Sequence, residues 1–235
     1  MPVRERSPQK KKREPRRFPP SLAGSCLRYA VMEVLGFGRL IDPESMTAMH
    51  EGSRLHKLFQ QQLMSDYAMA AVEVPLKDEG RRISGRMDAV VETERGPWVI
   101  EYKTVSQERF DAVLDTGPLV SHWAQLQLYL TAGTAMQGSL VVDCRESGRR
   151  MIFHAVPDSA WKEWIQNRIS QVQSFQKIRR LPSREVSVGC LSCDRWQRCF
   201  PTEIEREAAV AAHPRWEPEP ELPTELIHDV AQNIV

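Results

Sequence analysis

The sequence predicts an α/β fold. Two observations support this class. Apolar residues repeat first at the 3.6-residue spacing of helices, then alternate as in strands, and then return to the helical spacing. Turn-forming residues also separate these segments. The predicted order is a helix, three strands, a helix, two strands and a long helix. With 235 residues, 41% of them hydrophobic, the chain is long enough for one substantial domain.

The first half of the predicted domain is a helix followed by three strands. Asp42 and Pro43 are typical of a helix N-cap and first helical residue. The strands are expected at residues 72–77, 82–92 and 98–104, because turn-prone tripeptides separate them. Along the helix, apolar residues at helical spacing predict one buried stripe made up of Met46, Met49, Leu55, Leu58, Phe59 and Leu63.

The second half begins with residues 105–117, which have no clear periodicity. A helix is predicted over about residues 119–135, with its apolar side facing inward. Residues 139–144 and 149–156 predict a hairpin that turns at Glu146-Ser147-Gly148. Asp158 is expected to cap a long amphipathic helix that reaches about Arg180.

The two ends of the chain are expected to be tails. Residues 1–17 contain eight Lys or Arg against two Glu, which predicts a disordered basic segment able to contact polyanions. A solubilising or targeting role fits this segment equally well. Residues 201–235 are predicted to form an acidic, Pro-rich tail in which Leu222 to Ile234 could make a short helix. No apolar run of about 18 residues is present, which argues against a membrane-spanning helix and favours a cytoplasmic protein.

Charged residues on the third predicted strand indicate a metal site. Glu101 and Lys103 are two residues apart, so their side chains leave the same face of the strand. Asp88 lies on the preceding strand, and a hairpin can bring its carboxylate beside Glu101. Two carboxylates form a hard-oxygen site suited to Mg²⁺ or Mn²⁺, where Lys103 could position or deprotonate a water molecule. Alone, the Glu-x-Lys pair also fits a surface salt bridge on an edge strand.

Other residues in the sequence strengthen this interpretation. His56 lies on the helix before the sheet, and imidazole is a natural further metal ligand, although a lone helical His is more often structural. Gln125 and Tyr129 are four residues apart, so they share one face of the later helix. Both side chains can hydrogen-bond phosphate oxygens, although this helix is otherwise an ordinary core helix.

Together these residues resemble the PD-(D/E)XK nuclease superfamily, and specifically its RecB-like exonuclease branch. The resemblance implies a restriction-endonuclease-like core over residues 18–200, with a mixed sheet flanked by helices. Its motifs occur here as Gly52-x-x-x-His56, Gly85-Arg86-Met87-Asp88, Glu101-Tyr102-Lys103 and Gln125-x-x-x-Tyr129. Met87 replaces the Pro that names the motif.

The family resemblance also implies a role for each of these residues. His56, Asp88 and Glu101 would bind the catalytic Mg²⁺ or Mn²⁺, and Lys103 would serve the hydrolytic water. Gln125 and Tyr129 would contact DNA.

Three of the five cysteines form the cluster Cys190-x-x-Cys193-x5-Cys199, which is one thiolate short of a tetrahedral metal site. Cys26 is the candidate fourth ligand, because Cys144 lies in a predicted strand and is expected to be a plain core residue. One cysteine before the core and three after it resemble the iron-sulfur RecB-like nucleases, including the CRISPR-associated exonucleases. That resemblance implies a 4Fe-4S cluster that joins the two chain ends. The spacing alone also accepts zinc.

The resemblance implies a metal-dependent DNA exonuclease of a bacterium, archaeon or phage. Its substrate would be single-stranded DNA or an overhanging duplex end in DNA processing, recombination or CRISPR spacer acquisition. A CRISPR integrase or a recombination protein would be its partner. The alternative is a nuclease-fold DNA-binding subunit of such a complex with little activity, although the intact ligands and Lys103 argue against it. A zinc-stapled transcription factor is weakened by the absence of a recognisable helix-turn-helix.

Overall fold

A computed structural model describes residues 16–39, 41, 43–133, 135–213 and 220–223 of the chain. Residues 1–15 of the predicted basic tail lie outside the described residues. The same is true of the predicted cap residue Asp42 and of nearly all of the predicted C-terminal helix. Within the described parts, five strands form one sheet with α-helices on both faces.

The sheet begins as an antiparallel meander of β1 (Ala70–Asp78), β2 (Ile83–Thr93) and β3 (Gly96–Val105). The chain then crosses through α3 (Gln107–Thr116) and α4 (Val120–Ala132). It returns as β4 (Gln137–Cys144), parallel to β3, and β5 (Arg150–Ala155) closes an antiparallel hairpin. The strand order β1-β2-β3-β4-β5 confirms the predicted mixed sheet, and it makes β3 the central strand.

Helices cover both faces of the sheet and enclose two apolar cores. The larger core lies on the face covered by α1 (Leu27–Leu35), α4 and α5 (Ser159–Ile178). The smaller core lies on the opposite face, beneath α2 (Pro43–Asp66). Asp158 caps α5 as predicted, because its Oδ1 accepts a hydrogen bond of 2.9 Å from the Trp161 N–H. None of the described helices is both long and apolar enough to span a membrane.

The segment with no clear periodicity contains the helix α3. Only Phe110 and Val113 of this ten-residue helix are buried. Two buried residues are too few to give a strong periodic signal, which explains why the pattern did not predict a helix there.

The buried stripe predicted for α2 is wrong for three of its six residues. Phe59 and Leu63 are buried, with 3% and 0% of their surface exposed. By contrast, Met46, Met49 and Leu58 are 48–52% exposed. The second core contacts α2 through Leu55, Phe59 and Leu63. Methionines at helical spacing give the same sequence signal whether or not a sheet covers them.

A further helix, α6 (Glu203–Ala212), lies in the segment that the sequence predicted to be a tail. Thr202 caps it, since its Oγ1 accepts a hydrogen bond of 3.2 Å from the Glu205 N–H. Arg206 and Val210 are its buried residues. The sequence Thr202-x-x-Glu205 is the pattern of a capping box, so a local signal for this helix was present.

Candidate active site

The candidate site lies where β2 and β3 separate. Their ladder pairs Ala89 with Ile100 and ends there, although both strands continue beyond this pair. In place of a further backbone pair, Asp88 Oδ2 accepts a hydrogen bond of 2.8 Å from the Tyr102 N–H. The fork between the strands therefore holds a carboxylate, fixed by one oxygen and with the other turned towards α2.

Helix α2 brings His56 to this carboxylate. One turn earlier, a Cβ added at Gly52 would lie 3.0 Å from Thr104 Oγ1, so glycine permits the helix to approach β3 closely. His56 Nε2 lies 3.0 Å from Asp88 Oδ1. The hydrogen bond with Asp88 raises the pKa of His56, although burial acts in the opposite direction. His56 and Asp88 thus meet as predicted.

Glu101 and Lys103 project from β3 beside Asp88. Glu101 is completely buried, and Lys103 Nζ lies 2.5 Å from its Oε1. Glu101 Oε2 has no hydrogen-bond partner among the described residues. Burial raises the pKa of Glu101 to about 7, even though Lys103 favours the ionised carboxylate. Since β3 is central and Glu101 is buried, a surface salt bridge on an edge strand is excluded.

Lys103 keeps its proton at this site. Burial alone would lower the pKa of its ammonium, but the carboxylates of Glu101 and Asp88 raise it above the ordinary value of lysine. The ammonium can therefore donate hydrogen bonds to a water molecule or to a phosphate oxygen near the fork.

Glu73, which the sequence pattern does not single out, also lies in the site. Ligand atoms of His56, Glu73 and Asp88 all lie within 4.8 Å of one another, and this group does not include Glu101. Gln60 Nε2 joins two of them by donating to Glu73 Oε1 at 3.0 Å and to the Asp88 carbonyl oxygen at 3.2 Å. In the sequence, Glu73 is one acid within an alternating strand, a pattern typical of a solvent-facing residue.

Gln125 and Tyr129 lie on α4, behind the fork. Both are buried, with 7% and 1% of their surface exposed. Gln125 Nε2 donates to Tyr129 Oη at 2.9 Å, and Tyr129 Oη donates to the Arg86 carbonyl oxygen at 2.7 Å. In this structure they support the β2 backbone two residues before Asp88, and their predicted contact with DNA stays a prediction.

A second cluster, here called the cysteine cap, contains Cys26 at the start of α1 and the loop cysteines Cys190, Cys193 and Cys199. The thiols of Cys26 and Cys190 are near enough to influence each other electrostatically, as are those of the three loop residues. Burial raises the pKa of Cys26 to about 12, although N–H groups at the start of α1 favour its thiolate. Cys144 is buried on β4, as expected of a core residue.

Buried arginines connect the cysteine cap to the rest of the domain. Arg168 of α5 contacts both carboxylate oxygens of Glu185 at 2.7 Å and the Ser25 carbonyl oxygen at 3.0 Å. Arg195, from the loop itself, lies 2.5 Å from a Glu33 oxygen of α1. Polar contacts therefore hold the loop against α1 and α5.

Comparisons with known proteins agree with this architecture. No curated protein matches the chain. A solved structure described as SSO0001 is 20% identical, with a TM-score of 0.52 over 77% of this chain and 84% of that chain. LHK-Exo in complex with dAMP is 13% identical, with a TM-score of 0.54 over 69% of this chain and 89% of that chain. LHK-Exo is an alkaline exonuclease from Laribacter hongkongensis. At these identities the likenesses support the fold.

The family match covers the whole sheet, the candidate site and the three loop cysteines of the cysteine cap. The model of the PD-(D/E)XK nuclease superfamily matches residues 46–200, which is more than half of the chain. The matched range contains His56, Asp88, Glu101 and Lys103 together with the three loop cysteines. The chain belongs to the PD-(D/E)XK nuclease superfamily.

Proposed function

We propose that the protein is a metal-dependent DNA exonuclease that hydrolyses phosphodiester bonds in single-stranded DNA or overhanging duplex ends. The observation that carries the proposal is the buried Glu101–Lys103 pair beside Asp88 and His56, at the fork between β2 and β3. Membership of a nuclease superfamily supports the hydrolysis of phosphodiester bonds. The exonuclease mode is supported by the RecB-like order of the motifs and by the likeness to the LHK-Exo fold.

The donor set at the fork fits Mg²⁺ or Mn²⁺. Carboxylate oxygens and one imidazole suit a hard or intermediate divalent cation. The fully buried Glu101 also has an oxygen with no partner among the described residues, and a buried carboxylate is costly without a positive neighbour. When bound, such a cation would acidify a water molecule and stabilise negative charge on the phosphate.

The residues of the chain have separate tasks in this proposal. Asp88 is held in the fork by the Tyr102 N–H and offers its other oxygen on the side of His56. His56 must lose its proton to bind a metal ion, because a protonated imidazole has no free lone pair. Lys103 lies beside Glu101 at the fork, and we assign it to orienting water and offsetting charge on the phosphate.

The main alternative is a nuclease-fold DNA-binding subunit with little activity. A binding surface does not require a fully buried glutamate beside a second carboxylate, since that arrangement destabilises the fold unless a cation or a proton neutralises it. The retained acids therefore favour the enzyme. We further propose that the nuclease acts in DNA recombination or CRISPR spacer acquisition with an integrase or recombination protein as its partner, as the resemblance implies.

We also propose that Cys26, Cys190, Cys193 and Cys199 bind a 4Fe-4S cluster. The position of one cysteine before the core and three after it resembles the iron-sulfur RecB-like nucleases and supports this cluster. Zinc, which also accepts four thiolates, is the alternative.

Positive side chains support an anionic metal–thiolate centre in the cysteine cap. Burial raises the pKa of Cys199, but Arg28 and Arg184 both lower it and so favour the thiolate that binds metal. Arg184 also donates to the Cys199 carbonyl oxygen at 2.8 Å.

The activity is tested with end-labelled linear single-stranded DNA incubated with wild-type protein in Mn²⁺, Mg²⁺ or EDTA. The Lys103→Ala variant should degrade this DNA about 10²- to 10³-fold more slowly, because it loses a charged donor at the reacting phosphate. Lys77→Ala is the matched control, since Lys77 is an exposed lysine on β1. Equal residual activity of wild type and Lys103→Ala would refute the proposal that the protein is an enzyme. Circular single-stranded DNA should resist cleavage, and its degradation would refute the exonuclease mode.

A further inference from the structure

Strand β1 changes its backbone conformation at Glu73, beside the candidate site. Glu73 has a φ of 53°, in the left-handed region that residues with a side chain rarely adopt. The β1–β2 ladder pairs Val72 with Ala89 and Val74 with Met87, and it omits the intervening pair of Glu73 and Asp88. The two acids thus face each other at one irregular position in an otherwise regular antiparallel ladder.

At this irregular position, the side chains of both strands switch from one face of the sheet to the other. Val72 packs against the core beneath α2, whereas Val74 packs against the core on the opposite face. On β2, Ala89 and Met87 are divided between the same two cores. In a regular strand, residues two apart share one face. The reversal at Glu73 and Asp88 places both carboxylates at the point where the faces exchange, next to His56.

The contacts of Glu73 place its carboxylate at the metal group. One of its oxygens lies within 4.8 Å of the ligand atoms of His56 and Asp88. Gln60 donates to Glu73 Oε1 and to the Asp88 carbonyl oxygen, and so fixes the carboxylate relative to the fork. Its other oxygen, Oε2, lies 2.9 Å from Nε of Arg86.

A second observation indicates that a cation belongs at this position. Glu101, completely buried on β3, interacts electrostatically with both Asp88 and His56. Its Oε2 has no hydrogen-bond partner among the described residues. Three carboxylates and one imidazole thus converge at the fork. Among the described residues, Lys103 pairs with Glu101 and Arg86 pairs with Glu73.

We propose that Glu73 is a ligand of the divalent cation together with His56 and Asp88, and that Arg86 is the counter-ion it gives up when the cation binds. The inference rests on the proposed function, because it concerns the metal of that same site. The side chain of Arg86 is 68% exposed, so it can leave Glu73 without a change in the fold. A doubly charged cation bound between Glu73 and Asp88 competes directly with this single guanidinium.

A metal ligand and a structural ion pair predict different effects when Glu73 or Arg86 is replaced. If Glu73 only fixes β1 and β2 through Arg86, removal of either partner should weaken the site equally. If Glu73 is a ligand, removal of its carboxylate weakens cation binding, whereas removal of Arg86 frees the carboxylate and strengthens it. The two variants should therefore change the affinity for the cation in opposite directions.

The test measures Mn²⁺ binding to the metal-free full-length protein by calorimetry and by the loss of the free-ion paramagnetic resonance signal. Glu73→Gln, which keeps the shape of the side chain, should bind Mn²⁺ at least about tenfold more weakly than wild type. Arg86→Gln should bind Mn²⁺ more tightly than wild type. Glu92→Gln removes an exposed acid from β2 and should bind like wild type, which controls for net charge.

Three results would overturn the inference. Glu73→Gln could bind Mn²⁺ like wild type, or Glu73→Gln and Arg86→Gln could weaken binding equally, and either result would leave the proposed nuclease intact if wild type still degrades DNA in Mn²⁺. A wild-type protein that binds no Mn²⁺ would refute both the ligand and the metal-dependent nuclease. A melting temperature for each variant shows that it is folded.

Discussion

The active site and the cysteine cap differ in the sign of the charge that they bury. At the fork between β2 and β3 the buried group is a carboxylate, Glu101, and further acids lie beside it. In and around the cysteine cap the buried charged groups are the guanidinium groups of Arg168, Arg195 and Arg206, with 2–6% of their surface exposed. Each of these arginines has a carboxylate partner.

The sign of the buried charge indicates which kind of metal centre would be stable in each region. A surplus of carboxylates becomes stable when a hard cation such as Mg²⁺ or Mn²⁺ neutralises it. Four thiolates around a metal cluster carry net negative charge, which suits a region rich in guanidinium groups. If both proposals are correct, one domain would provide two metal environments of opposite charge, and the proposed chemistry would belong to the acidic one.

The largest expected effect follows from removal of one ligand in the cysteine cap. Cys190→Ala should lose the visible colour of the anaerobically purified protein and lower its free energy of unfolding by several kcal/mol, because the proposed cluster would no longer join the chain ends. Mn²⁺ binding at the fork should survive at low temperature. Cys144→Ala, which changes a buried cysteine outside the cluster, should keep the colour. A brown and fully stable Cys190→Ala protein would contradict the separation of the two regions.

A smaller effect concerns pH at the acidic region. Burial places the pKa of Glu101 at about 7, and the hydrogen bond with Asp88 raises that of His56, so both groups hold protons that a cation must displace. The affinity for Mn²⁺ should therefore rise with pH up to neutrality, by about tenfold per pH unit for each proton released. Calorimetry in buffers of different ionisation enthalpy counts these protons. On binding Mn²⁺, the Glu101→Gln variant should release fewer protons than wild type. Equal proton release by the two proteins would contradict the assignment of one of these protons to Glu101.

The smallest effect concerns the polar contacts of the cysteine cap. Arg195→Met removes the buried partner of Glu33 and should lower the free energy of unfolding by about 1–3 kcal/mol, as expected for a buried hydrogen bond to a charged group. Arg39 contacts the same Glu33 oxygen at 3.0 Å but is 39% exposed. Arg39→Met should therefore cost less than about 1 kcal/mol. Chemical denaturation of both variants measures the difference, and equal losses would show that burial does not distinguish these pairs.

The fold and half of the site could be predicted from the sequence because their signals are local. The alternation of β2 and β3 placed Asp88 and Glu101 on neighbouring strands, and a spacing of two put Lys103 on the face of Glu101. The parallel return of β4 depends on which strand it meets, so it came from the family resemblance rather than from periodicity.

The rest of the site could not be predicted because it depends on tertiary geometry. Glu73 reaches His56 and Asp88 only because its φ is positive and the ladder skips one pair. The strand pattern around it predicts a regular, exposed position. Similarly, helical spacing cannot show that the first turns of α2 extend past the core, which is why Met46 and Met49 were wrongly predicted to be buried.

The proposed chemistry depends most on the carboxylate of Asp88 at the fork. The most direct measurement is therefore the rate of mononucleotide release from linear single-stranded DNA in Mn²⁺ by wild type and by Asp88→Asn, which keeps the shape of the side chain. Wild type is expected to release mononucleotides, and EDTA is expected to stop the reaction. Asp88→Asn, with an unchanged melting temperature, is expected to be at least about 10²-fold slower. Equal rates for the two folded proteins would contradict the proposed role of Asp88 in a metal-dependent nuclease.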